Sequence, residues 1–135
     1  MRFVLIHIPN GYETAPPDAM PDTKLMLAMI GYIRELQDAG VLLSIDGFRP
    51  PSSGVRVHFS GGAPEVVEGP FPDTPQSVGG FWIIDVPSKT EAVEWACRCP
   101  DTHCVIEVRE VQEVSGFPEN LRAIAEGAGP IGKQR

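Results

Sequence analysis

Basic side chains are scarce in this chain. Eleven Lys and Arg stand against eighteen Asp and Glu, a formal net charge of −7 over 135 residues. A nucleic-acid surface needs clustered cations to neutralise phosphates, so that class of partner is not expected, while an anionic ligand held by a few local cations remains allowed. Long apolar runs are also missing. The first apolar stretch, Phe3 to Ile8, falls well short of the roughly 20 residues of a membrane helix, and it is too short for a signal-peptide core. No membrane partner and a cytoplasmic location are therefore expected. Cysteine is limited to Cys97, Cys99 and Cys104. An odd, clustered set is not a secreted disulfide framework. With His103 these residues spell C-x-C-x3-H-C, which matches none of the usual structural zinc spacings. Cys97 and Cys99 on one helix would also point about 200° apart. Packed or surface thiols, no metal and no cofactor are the expectation.

What is present suits a single domain. The apolar fraction is 42%, and a chain of this length buries roughly two thirds of its unfolded surface without help from a disulfide or a metal. Phe3 to Ile8, broken only by His7 and ended by Pro9-Asn10-Gly11, reads as a strand buried on both faces. After a proline-rich loop, Met26, Met29, Ile30, Ile33 and Leu36 recur at helical spacing and predict a helix from Thr23 to Ala39, stopped by Gly40. Val41 to Ile45 reads as a strand. Val55, Val57 and Phe59 alternate with Arg56, His58 and Ser60. Ser60-Gly61-Gly62 predicts a hairpin turn with Glu65 to Glu68 returning as partner. Phe81 to Val86 is a further strand. Ser88-Lys89-Thr90-Glu91 is a capping box opening a helix with Ala92, Trp95, Ala96 and Cys99 on one face, stopped by Pro100. Val105 to Val111 is the last long strand. A domain over residues 1–114 is expected, followed by an irregular tail over 115–135 with one helical turn near Leu121 to Ala125.

The order β-α-β, hairpin, β-α-β predicts an α+β fold, a ferredoxin-like split βαβ arrangement with an inserted hairpin. Both helices fall on one sheet face. Strands apolar on both faces need a cover on the other face as well, and no third long helix is available. A second copy of the chain is the natural lid, so a homodimer is expected.

Specific residues then add a resemblance. Glu68-Gly69-Pro70-Phe71 followed by Gly79-Gly80-Phe81-Trp82-Ile83-Ile84-Asp85-Val86, the helix segment Glu91-Ala92-Val93-Glu94-Trp95-Ala96 with Cys99-Pro100, and the strand Ile106-Glu107-Val108-Arg109 occur in order. Upstream stand Ala39-Gly40-Val41-Leu42 and Phe48-Arg49-Pro50-Pro51. Over roughly residues 1–118 the chain resembles the YCII-related, DGPF-type family. The resemblance implies a dimeric α+β barrel in which two ferredoxin-like sheets face one another. Some members of that family sit beside extracytoplasmic-function sigma factors. A few YciI-like relatives act on small aromatic or chlorinated compounds, with a His–Asp pair proposed as catalytic. Asp38 stands where the resemblance places the acidic residue, but Met29 stands where it places the histidine, and a thioether moves no proton. The signature Asp is Glu68.

Candidate site residues are His7, Asp38, Asp46, Arg49, His58, Glu68 and Phe71. His7 interrupts an apolar strand and reads as a hydrogen-bonded core histidine or a ligand. His58 lies with Arg56 on the polar side of the hairpin. Asp46, Arg49 and Glu68 flank turns at the sheet end, as salt bridges or site residues. Phe71 reads as a pocket wall or a plug, with Gly69 and Pro70 aiming it and Arg49 placed to pair Glu68. Two functions stay open: a homodimeric module that binds a small molecule or serves a regulatory partner, and a cofactor-independent enzyme of isomerase or lyase type.

Overall fold

Apolar strands with unequal burial on their two faces organise the molecule. The computed structural model describes residues 1–127. In chain order its elements are β1 (Arg2–Pro9), α1 (Thr23–Asp38), β2 (Leu42–Gly47), β3 (Val55–His58), β4 (Glu65–Glu68), β5 (Gly80–Asp85), α2 (Lys89–Cys97), β6 (Cys104–Glu110) and α3 (Glu119–Glu126). Four strands form one sheet in the order β2-β5-β1-β6, and β3 and β4 form a separate ribbon. The pairings within both sheets are antiparallel. This is the strand order of a ferredoxin-like α+β domain with a hairpin inserted between its halves, as the element order predicts.

Alternation along β1 sends Phe3 and Leu5 to one face, opposite Ile84 and Trp82 of β5. These four side chains are buried together with Tyr32 and Leu36 of α1, Ala92 of α2, and Val86. Burying a large apolar side chain of this kind contributes roughly 1.5–3 kcal/mol, so this layer is the main source of cohesion. Ser88 starts α2 as expected, its Oγ accepting from the Glu91 N–H at 3.2 Å. The other face of the sheet carries Val4, Ile6, Phe81 and Ile83, all only half-buried, and Ile8, which is buried. A bulge between Leu42 and Ser44 shifts the parity of β2, so that Ser44 lies opposite Ile83 while Ile45 lies opposite Trp82. At one end of β1, Arg2 donates to both carboxylate oxygens of Glu113 at 2.7 and 2.9 Å. This bond raises the arginine's affinity for its proton and holds the glutamate below its usual range.

Several local expectations need correction. The inward face of α1 is Met29, Tyr32 and Leu36, and Met26 and Ile30 are exposed. The stripe is rotated because Tyr32 takes a core position. Its ring meets Trp82 edge-on at 5.7 Å, and its hydroxyl donates to the Trp95 carbonyl at 2.7 Å. The tyrosine thus buries its ring while its polar tip keeps a partner.

In the ribbon, Arg56 is half-buried rather than solvated, while Val55, Val57, Phe59 and Val66 are exposed. The segment after β4 folds back and presents Phe71 and Thr74. The Arg56 guanidinium stacks over the Phe71 ring at 4.3 Å and donates to Thr74 Oγ1 at 3.0 Å. A planar cation suits both contacts. Gly69 is required for close approach rather than for an unusual backbone angle: a Cβ there would collide with the Pro51 carbonyl oxygen. The last helical segment is longer than one turn, since α3 runs from Glu119 to Glu126 and buries Ala125. The remainder of the expected tail, 128–135, lies outside the described residues.

Candidate functional site

The polar interruption of β1 becomes meaningful once its neighbours are placed. His7 follows Phe3 and Leu5 on the helix-covered face, opposite Gly80 of β5 and Ile106 of β6. Gly80 leaves the space beside the ring open. A Cβ there would meet the Asp46 carbonyl oxygen at 2.8 Å, so the approach of β2 requires glycine. Trp82 lies on the same side, its ring 6.4 Å from the imidazole.

The turn between α2 and β6 supplies the other half of the site. Asp101 folds this turn with its own side chain, Oδ1 accepting from the His103 N–H at 3.0 Å. The Asn10 N–H donates to the His103 carbonyl at 3.1 Å and ties the turn to the end of β1. Cys104 Sγ donates to the Asp101 carbonyl at 3.4 Å. Held this way, Asp101 Oδ2 lies 2.8 Å from His7 Nε2, and both side chains are largely buried. The Cys99 thiol adjoins this group, contacting Met29 Sδ at 3.9 Å and interacting with Cys104. A groove of about 710 Å³ between α2 and β6 reaches Asp101, Cys99 and Cys104, with Val93, Ala96 and Ile106 on its walls.

The electrostatics separate the acid from the thiols. Burial opposes ionisation of Asp101, but the His103 N–H and the His7 ring outweigh it and leave the carboxyl below its ordinary range. An ionised Asp101 accepts from the His7 Nε2–H and so orients the imidazole ring. Burial, reinforced by the Asp101 charge, pushes the Cys104 thiol up to about 12. Burial raises Cys99 as well. Both thiols are therefore protonated near neutrality and are poor nucleophiles until something replaces their protons.

Of the residues singled out from the sequence, His7 alone enters this group. Asp38 ends α1 in solvent, and Asp46, Arg49, His58 and Glu68 are exposed. Arg49 forms no ion pair with Glu68; the described ion pairs of the basic side chains join Arg2 to Glu113, His7 to Asp101, Arg98 to Glu35 and Arg109 to Glu107. Phe71 is half-buried under Arg56 and serves the ribbon. Asp101, Cys99 and Cys104 escape a reading based on cysteine spacing alone. The signal for them was the two-residue interval from Asp101 to Cys104 in a turn after a proline, which aims both side chains the same way. The pairing of Pro9 with Cys104 then delivers His7.

The sheet order, the two helices on one face and the inserted ribbon define the class: a ferredoxin-like α+β domain. The chain belongs to the YCII-related domain family, whose model matches residues 1–115. An uncharacterised protein of Rhizobium meliloti (strain 1021) is 29% identical over 75 residues, which is 56% of this chain and 60% of that protein. Met29, standing where the resemblance places a histidine, turns its sulfur toward Cys99. The helix-borne dyad of that resemblance is absent, and the His–Asp pair of this chain joins β1 to the α2–β6 turn instead. No helix among the described residues is long and apolar enough to cross a membrane.

Proposed function

We propose that this YCII-related chain works as a homodimer that binds a small molecule, with the family domain over residues 1–114 as its working unit. The carrying observation is the sheet face opposite the helices, where Val4, Ile6, Phe81 and Ile83 stand only half-buried, with Phe48 against Phe81 at one end and neither helix of the core layer over them. Charged Glu107 and Arg109 border that patch on β6. An apolar centre with a polar margin is the composition of a protein interface. The β3–β4 ribbon points the same way, because a two-stranded hairpin with an exposed apolar side is marginal by itself. A second copy covers both surfaces and encloses space between the two sheets for a ligand. The expected mass by light scattering at micromolar concentration is twice 14.6 kDa, and a stable monomer rejects the reading. A thermal-shift screen of small aromatic and carboxylic compounds then identifies the ligand class. Service to a regulatory partner, also without catalysis, is expected to leave that screen silent.

The enzyme alternative is favoured by one observation, the His7–Asp101 pair. An aspartate that orients an imidazole ring makes a general base for cofactor-independent proton abstraction. Its test is deuterium exchange from solvent into carbonyl compounds carrying acidic α-protons. Exchange lost in His7→Gln supports it, and no exchange across the panel removes it.

A further inference from the structure

We infer that His7, Asp101, Cys104 and Cys99 form a binding site for a zinc-class divalent cation. Nitrogen, oxygen and sulfur donors from His7, Asp101 and Cys104 lie within 4.8 Å of one another. Around a tetrahedral zinc with bonds of ~2.0–2.3 Å, ligand atoms sit roughly 3.3–3.8 Å apart. The three donors therefore close on an ion through small side-chain rotations, the His7–Asp101 contact opening from 2.8 Å and the wider separations contracting. Cys99 borders the same groove; its thiol lies outside the mutual 4.8 Å spacing of the other three donors, so it must swing in to serve as the fourth ligand.

The backbone supports this assignment. Asp101 and Cys104 are separated by two residues in a turn closed by the Asp101–His103 and Cys104–Asp101 hydrogen bonds. That is the interval of the C-x2-C ligand pairs in structural zinc sites, with a carboxylate in the first place. The two cysteines that enter are the ones turned inward. Cys97, two residues before Cys99, is exposed and does not enter, which resolves the C-x-C spacing that counted against a metal in the sequence. A mixed set of imidazole, carboxylate and thiolate suits zinc over calcium or magnesium, which take oxygen ligands.

This site is separate from the proposed dimer face, because His7 lies on the helix-covered side of the sheet. A bound ion would occupy Nε2 and Oδ2, so it and the His7–Asp101 base are exclusive uses of one cluster. The test is a cobalt(II) titration of the reduced, full-length protein, followed by competition with zinc(II). The expected result is saturation at one ion per chain, a sulfur-to-cobalt charge-transfer band, and displacement by zinc. Cys104→Ser should abolish the band, and His7→Gln should weaken binding by roughly 10–100-fold, at least the loss seen when an outer-shell partner is removed. Cys97→Ser should change neither. Circular dichroism identifies variants that fail to fold, and for those Cys99→Ser and Asp101→Asn supply the same comparison. The inference is overturned if cobalt does not bind, or if it binds equally to wild type and to folded His7→Gln and Cys104→Ser proteins.

Discussion

The two faces of the main sheet are built from the same strands and reach different ends. On the helix side, Phe3, Leu5, Trp82 and Ile84 retain at most 2% of their exposure. On the other side, Val4, Ile6, Phe81 and Ile83 keep an intermediate exposure. Residue type does not separate the two sets, since each mixes aromatic and branched aliphatic side chains. The difference lies in what covers them: two helices on one side, and on the other only partial cover, such as Phe48 against Phe81. An antiparallel sheet that ends in water normally carries polar residues on its wet side. This one has polar residues only at its margins, Glu107 and Arg109 on β6 and Ser44 and Asp46 on β2, while its centre stays apolar, and that centre is what the proposed second copy would cover.

The largest effect is expected where coverage is complete. Trp82→Ala removes an indole packed edge-on against Tyr32 and beside His7. It should cost roughly 3–5 kcal/mol, because helices and sheet cannot collapse into so large a void. Urea unfolding followed by circular dichroism measures this. A loss below about 1 kcal/mol would mean that the helix layer is not the core.

The same experiment on the opposite face should behave differently. Ile83→Glu places a charge in the centre of the half-buried patch. The chain should stay folded, with a similar urea midpoint, while its mass by light scattering falls from twice 14.6 kDa to 14.6 kDa. Charged residues are depleted from interface centres because burying one without a partner is costly. A dimer that survives Ile83→Glu places the contact elsewhere, on the ribbon or on the exposed Met26–Ile30 side of α1.

This contrast also marks how far the sequence was legible. The period-two strands, the serine cap of α2 and the glycine stop of α1 are local signals, and each appears where the residues predict it. The apolar character of both strand faces was readable for the same reason, but burial on both was not met: Val4, Ile6, Phe81 and Ile83 are only half-buried. The cluster around His7 was not. Its members come from β1 and from a turn nearly a hundred positions later, and only the antiparallel pairing of Pro9 with Cys104 brings them together. The orientation of α1 was misread because Tyr32 is scored as polar-tipped while its ring does the packing. The β3–β4 ribbon was misread because alternation states which residues share a face, and the loop carrying Phe71 decides which face turns inward.

A smaller effect separates the buried acid from exposed ones. Asp101 has a lowered folded pKa, so its contribution to stability is present above the ordinary aspartate value, here 3.8, and is lost as pH falls through the folded value. Asp101→Asn should remove that part of the acid dependence and lower stability at neutral pH by about 1.5–3 kcal/mol, the usual range for a hydrogen bond to a charged group. Urea midpoints between pH 7 and pH 3 test it. An unchanged acid limb would show that the His7–Asp101 contact adds nothing to the folded state.

The smallest effect is expected at Glu68, although the turn beside it is demanding. Glu68 ends β4 on the outward side of the ribbon, opposite Val55, and its side chain faces solvent. Gly69, one residue later, sits against the Pro51 carbonyl and donates its N–H to the Gly54 carbonyl at 2.8 Å. The conformation of the turn therefore depends on the backbone of Gly69 and on the Arg56–Phe71 stack, with no part left for the Glu68 carboxylate. Glu68→Gln should shift stability by no more than about 0.5 kcal/mol, as exposed substitutions do. It should also leave the dimer mass unchanged. Ligand binding lost in Glu68→Gln, with the fold and the mass intact, would move the small-molecule site to the ribbon and make its outward face, rather than the sheet, the surface that the second copy encloses.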